Sequence, residues 1–270
     1  MSGHHRLVIG PWSHTELFGS VVGDVDFGIY SLEKYSPMDI LDWFEKVEMG
    51  IAKRTDISLY IMGRNRWYHF EKIPEAQEQR YFLVKKGENR LVDGDGPSEI
   101  KEVDTFIFDY SQLVPTCGGR CIDAIPEALG GPKNQRIVEE RDDVLVYTSK
   151  ELEKDVVIIG EVKFSLACSS SLDRMDYMIK LCDVDQNGNS VNILDSGVRI
   201  VCDADKEKTY CFSIGTVGHC FVKGHRIRCH ISSSNFPRLN VQDWLIDKSG
   251  ENTVYLNGST YIDLPVVRLE

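Results

Sequence analysis

The sequence predicts a mostly β protein, an antiparallel β-sandwich of roughly 200 residues behind a short mixed α/β segment. Three observations carry that reading. From about Thr55 onward, short runs rich in β-branched and aromatic residues recur between turn-forming residues, as in TFIFDY, VLVYTS, YMIKLCDV and YIDLPVV. No long helical pattern interrupts these runs, so the strand–helix alternation of a parallel sheet is missing. The segment before Thr55 differs: a strand, a Gly-rich stretch and one amphipathic helix.

The first element is RLVIG, an apolar run of strand length stopped by Gly10-Pro11, after which Trp12, Ser13 and His14 follow. LFGSVVGDVDFG supplies turns. A helix is then signalled by Ser36 as cap, Pro37 in the first turn, and Asp39 and Asp42 at the positive end of the dipole. Ile40, Trp43, Phe44 and Val47 give it one apolar face, and Gly50 is placed to end it. Strands are then read at ISLYIM, RYFLV, TFIFDY, VLVYTS, VVIIGEVKFSLA, YMIKLCDV, SVNILD, GVRIVC, TYCFSIG, HRIRCHISSS, TVYL and YIDLPVV. Between Gln112 and Ile137 lies an irregular stretch with two Gly-Gly pairs and three prolines. Loops of that length inside a domain are usually functional or disordered.

The 270 residues carry a net charge of −11, with 42% hydrophobic and 27% charged residues. That balance argues against nucleic acid and against an anionic membrane, both of which need clustered Lys and Arg. No apolar run approaches the ~18 residues of a membrane helix, and the N-terminal apolar stretch is too short for a secretory signal. A cytoplasmic protein is therefore expected. The eight cysteines are irregularly spaced, mostly within apolar alternation, and read as buried free thiols.

Metal and cofactor motifs are weak. DVDQNGNS puts Asp183, Asp185, Asn187 and Gly188 at the first positions of a calcium loop, but Leu194 stands where a bidentate glutamate belongs, and Asn187-Gly188 is a hairpin dipeptide. In GHCFVKGHRIRCH, a turn at Gly224 splits His225 and Cys229 from His230 across a strand, which cannot close a zinc tetrahedron. Cys117 and Cys121 are not a C-x-x-C pair. G-x-S-x-G, a P-loop and a dinucleotide fingerprint are absent. No cofactor and no metal are expected. His14 keeps the placement of an α/β-hydrolase base, a histidine after a strand and tight turn, yet no acid precedes it.

RLVIGPWSH resembles the histidine motif of the CocE/NonD serine hydrolases, which include cocaine esterases, α-amino acid ester hydrolases and X-Pro dipeptidyl-peptidases. GDVDFG, LYIMGRNRWYHFEKIPEA, FDYSQLVPTCGGR, NQRIVEERDDVLVYTS, SSSLDRMDYMIKLCDVDQNG, KGHRIRCHISSSNFPRLN and YIDLPVV follow in family order. The resemblance implies that residues 1–54 are the C-terminal remnant of an α/β-hydrolase domain and that 55–270 form a galactose-binding-like jelly-roll. It implies that His14 is the catalytic general base, without the serine and acid that would complete its triad.

The implied function is the C-terminal part of a serine hydrolase acting on acyl esters or Xaa-Pro dipeptidyl peptides, inactive alone and partnered by a separate N-terminal hydrolase half. The alternatives are a non-catalytic jelly-roll that binds a ligand or protein, and a calcium-stabilised domain. The apolar strand and helix of residues 5–50 predict a homo-oligomer.

Overall fold

Along VDTFIFD, Asp104, Phe106 and Phe108 turn inward while Val103, Thr105 and Ile107 face out, the alternation of a half-buried strand. The computed structural model describes residues 3–13, 19–34, 36–86, 88–94, 96, 102–121, 130–203 and 206–269. Its N-terminal elements are β1 (His5–Ile9), β2 (Val21–Val22), β3 (Val25–Asp26), α1 (Pro37–Glu48), β4 (Thr55–Ile61) and β5 (Arg66–Phe70). Then come β6 (Gln77–Lys86), β7 (Glu88–Asp93), β8 (Val103–Asp109), the short helix α2 (Arg136–Glu139), β9 (Leu145–Ser149), β10 (Val156–Ser170) and β11 (Arg174–Val184). The chain closes with β12 (Ser190–Val201), β13 (Lys208–Phe221), β14 (Arg226–Ser232), β15 (Ser249–Tyr255) and β16 (Tyr261–Val267).

The large sheet runs β12-β11-β14-β9-β7-β6-β16-β10-β15-β8, with β13 also paired to β10. Its pairs are antiparallel except for the short parallel contact of β7 with β9. The two runs SVNILD and GVRIVC are one strand, β12, because Asp195, Ser196 and Gly197 stay in register opposite Lys180, Ile179 and Met178. The sheet folds onto itself into a sandwich. Phe106 of β8 meets Tyr177 of β11 edge-on at 6.1 Å, and the Tyr177 hydroxyl donates to the Ser169 carbonyl and to Asn252. Leu83, Ile158, Phe164, Leu166, Met175, Leu181 and Ile227 fill the space between the layers. Each such side chain contributes about 1.5–3 kcal/mol of burial.

The N-terminal segment joins this body through a second sheet. β1 runs parallel to β4, and β4 is antiparallel to β5. Arg6 ties α1 to the sheet by contacting both Asp39 and Asp56. The helix begins as its sequence predicts, with the Ser36 hydroxyl accepting from the Met38 amide at 3.2 Å, and Gly50 leaves it at φ +69°. Its apolar face is uncovered: no residue of α1 is buried, and Ile40 and Phe44 are each 55% exposed.

The long irregular stretch is laid against the sheet where it is described. Gly119 pairs with Gly131, Pro115 with Phe236 and Asn134 with Val191. The fully buried Gln135 amide donates to the Cys117 carbonyl and Asn192, and accepts from Lys180. Among the described residues, no helix is long and apolar enough to cross a membrane.

Candidate functional site

A cavity of about 540 Å³ opens where the N-terminal segment, the irregular stretch and the mouth of the sandwich meet. Gly10 to Ser13 form one wall as the chain leaves β1, and Gly119 to Cys121 with Gly130 to Pro132 form another. The floor is Val191 to Leu194 of β12, and Val22, Phe27 and Met62 complete an apolar lining. Several close backbone approaches build these walls. Gly63, at φ +82°, lies against the Cys220 carbonyl where any Cβ would clash, and Gly23, at φ +63°, lies against Pro132 in the same way. Asp24 fixes the second approach by accepting from the Asn134 amide at 2.8 Å and pairing with Lys133 at 3.1 Å.

The aromatic side is held by hydrogen bonds. Trp12 donates its indole N–H to the Ser31 carbonyl at 3.0 Å and packs on Trp67 at 5.7 Å. Tyr60 donates to the Phe27 carbonyl at 2.5 Å. Burial, then the nearby Asp26 charge, push the Tyr60 phenol up to about 12, so it stays a donor.

At the inner end, Asp183 of β11 receives two imidazoles. His219 Nε2 of β13 lies 2.9 Å from one carboxylate oxygen, and His225 Nδ1, in the turn before β14, lies 2.9 Å from the other. Asp183 and His219 are both buried, and their contact bridges the two layers of the sandwich. Local sequence keeps these three apart: Asp183 stands at the first position of a calcium-like loop, the histidines fall in a zinc-like cluster, and nothing local says that β13 faces β11.

Both metal-like patterns resolve into other chemistry. Asp185 spends its carboxylate on its own turn, accepting from the amides of Asn187 and Asn189 and from the Asn189 side chain. Asp183 points instead to the histidines. His230 leaves the opposite face of β14 from Cys229 and meets Glu139 of α2 at 2.9 Å, with Arg228 on the other carboxylate oxygen at 2.5 Å. Burial lowers His230 below its usual range, outweighing the Glu139 contact. Burial also raises Glu139, but the His230 bond and the Arg228 charge outweigh it, so the carboxyl ends below its usual range. Six cysteines are buried, Cys121 is half-buried and Cys211 is exposed.

His14 lies outside the described residues, in 14–18. Its neighbours Trp12 and Ser13 stand on the cavity wall.

Comparison with known proteins now bears on this arrangement. Residues 50–259 match the family described as X-Pro dipeptidyl-peptidase C-terminal non-catalytic domain. A cocaine esterase of Rhodococcus sp. (strain MB1 Bresler) is 29% identical over 257 residues, covering 86% of this chain and 44% of that protein. The chain thus spans less than half the length of that relative. The crystal structure of an aminopeptidase from the marine sediment archaeon Thaumarchaeota archaeon superposes with a TM-score of 0.81 at 20% identity, over 98% of this chain and 49% of that one. An α-amino acid ester hydrolase superposes equally well, with a TM-score of 0.81 at 20% identity, over 97% of this chain and 50% of its own. These superpositions establish a shared fold.

Proposed function

Because the chain belongs to the family of X-Pro dipeptidyl-peptidase C-terminal non-catalytic domains, we propose that it serves as the C-terminal part of a serine hydrolase cleaving acyl esters or Xaa-Pro dipeptidyl peptides. One observation carries the reading. The strand-and-turn segment that leads into His14 and the mouth of the sandwich wall a single cavity, so substrate held there touches both parts. His14 is the general base. Its partners, a serine nucleophile and an acid, come from an N-terminal hydrolase half. The exposed edge of β1 and the uncovered face of α1 form the seat for that half. A groove of about 640 Å³ between them is lined by Val8, Trp12, Ile40, Trp43 and Phe44. A two-fold homodimer through residues 5–50 is the competing occupant of this surface.

Co-expression with the N-terminal half of the Rhodococcus cocaine esterase tests the reading. Hydrolysis of a nitrophenyl ester is expected only when both halves are present, and His14→Ala abolishes it. A triad without its base or nucleophile retains almost none of the triad's contribution. Two outcomes overturn the proposal: turnover by the chain alone that survives His14→Ala, or two halves that associate and remain inactive. Light scattering of the chain with and without residues 1–54 distinguishes the homodimer.

A further inference from the structure

A second cavity, of about 390 Å³, lies on the outer face of β11 and β12. Met175, Tyr177 and Ile179 of β11 and Ile200 of β12 belong to the core. Alternation therefore turns Arg174, Asp176, Met178 and Lys180 outward, each opposite Val201, Arg199, Gly197 and Asp195 in turn. The chain after β14 lies over this face, where Arg238, Leu239, Asn240 and Gln242 wall the cavity. Met178 and Gly197 lie between the Asp176–Arg199 and Lys180–Asp195 pairs and give it a floor. A Cβ at Gly197 would strike the Met178 sulfur, so the missing side chain gives Met178 its place. The guanidinium carbons of Arg174 and Arg199 stand 5.2 and 5.5 Å from the ring centroid of Trp244.

What this cavity offers a ligand is donors. Asp176 is buried and accepts from Nε and Nη2 of Arg199 at 3.0 and 3.4 Å. Arg238 gives Nη1 to Asp195 and Nε to the Arg120 carbonyl at 3.3 Å. The second Asp195 oxygen has no partner among the described residues, but it is itself buried and is not presented to a ligand. The Arg199 side chain is 50% exposed. Its Nη1, like Nη2 of Arg238, forms no hydrogen bond among the described residues and is not one of the buried unpartnered atoms. Exposed Asn240 stands on the rim. In a chain of net charge −11, Arg174, Lys180, Arg199 and Arg238 gather here with only Asp176 and Asp195 on the same strand faces.

We propose that this cavity binds a small carboxylate with an apolar body, its oxygens accepting from Arg199 and Arg238 while the body rests on Met178 and Leu239. The planar fork of a guanidinium matches a carboxylate, and stacking on Trp244 holds the Arg199 plane in position. The apolar floor favours an organic acid over inorganic phosphate, which has nothing to lay against it. The cavity shares no lining residue with the candidate functional site, so the inference is independent of the hydrolase reading.

The test uses the chain as it stands, with benzoate and benzamide as probes of similar shape that differ in charge, and inorganic phosphate as a third. Calorimetry is expected to show benzoate binding about tenfold more tightly than benzamide, the worth of a hydrogen bond to a charged group where solvent has access. The preference shrinks as salt is raised. Arg199→Lys keeps a cation beside Asp176 but loses the fork, and Asn240→Asp puts a like charge on the rim. Each is expected to weaken benzoate about fivefold and to leave benzamide unchanged. The side-chain Nε resonances of Arg199 and Arg238 should move with benzoate and not with benzamide. Val191→Phe fills the other cavity and should change nothing. Equal binding of benzoate and benzamide, no binding of benzoate, phosphate binding as tightly as benzoate, or loss of benzoate binding in Val191→Phe overturns the inference. The comparison of probes in the parent chain stands even if a variant does not fold. Failure here leaves the proposed function untouched, because complementation by the hydrolase half is read at the other cavity.

Discussion

Replacing Glu139 by Gln removes the charge at the centre of a part-buried trio. In the parent, the carboxylate receives Arg228 at 2.5 Å and His230 at 2.9 Å, with side-chain exposures of 14%, 20% and 2% for Glu139, Arg228 and His230. A hydrogen bond to a charged group contributes about 1.5–3 kcal/mol, and partial solvent access of the carboxylate moves both bonds toward the lower figure. Gln retains one acceptor for Arg228 but turns an amide toward His230. The imidazole must then accept and carry its proton on Nδ1, which has no partner among the described residues. The net loss is about 2–3 kcal/mol at neutral pH, a fall in Tm of about 5–10 °C for a domain of this size.

The pH dependence has a definite sign. Glu139 titrates in the folded state below its ordinary value of 4.5, so its stabilisation is present above that value and is lost as pH falls through the folded pKa. His230 is lowered from 6.5 and folds neutral, so protonation of the unfolded chain also erodes stability as pH drops below 6.5. Stability of the parent is therefore expected to decline on acidification, and the gap between parent and Glu139→Gln closes below about pH 4.5. Thermal unfolding followed by circular dichroism across this range measures both. A Tm change under about 1 °C at neutral pH, or a gap that persists undiminished in acid, refutes the reasoning.

Two further expectations follow from burial. Ser36→Ala removes the acceptor for the Met38 amide and costs α1 about 1 kcal/mol. Because no residue of α1 is buried, amide exchange within 37–48 should quicken about fivefold with little change in global Tm. Exposed Cys211 and half-buried Cys121 should react first with a thiol reagent under native conditions. Cys220, pushed up to about 11 by burial, and the fully buried Cys182 and Cys229, raised further by the same cause, should react only on unfolding. Equal labelling rates for Cys211 and Cys229 in the native protein would contradict that order.

The elements that could be read from residues alone are those whose cause is local. Ser36-Pro37 and Gly50 mark the ends of α1 because capping and positive φ are decided within a few residues. The alternation of Asp104, Phe106 and Phe108 marks β8 because period two is a property of one strand. β5 and β7 escaped notice because RWYHF and ENRLVD carry no clean alternation, and each owes its pairing to a neighbour, β4 for one and β6 for the other. The family resemblance, read from motifs spread along the chain, reached the fold by a different route, while His14, whose role it implies, lies outside the described residues. It said nothing of the Asp183 cluster.

What the sequence by itself determined was composition, the identity of most strands, the helix α1 and its caps, and the alternation that sends Cys229 inward and His230 to the other face. The tertiary structure alone decided which strand faces which. It brought Asp183, His219 and His225 together from three elements, turned a calcium-like loop into a self-capped hairpin, and laid the irregular stretch along the cavity. The physical reason is that periodicity specifies a face but not its partner. Which layers meet depends on sheet order and on closure of the sandwich, and both arise from the packing of the whole core.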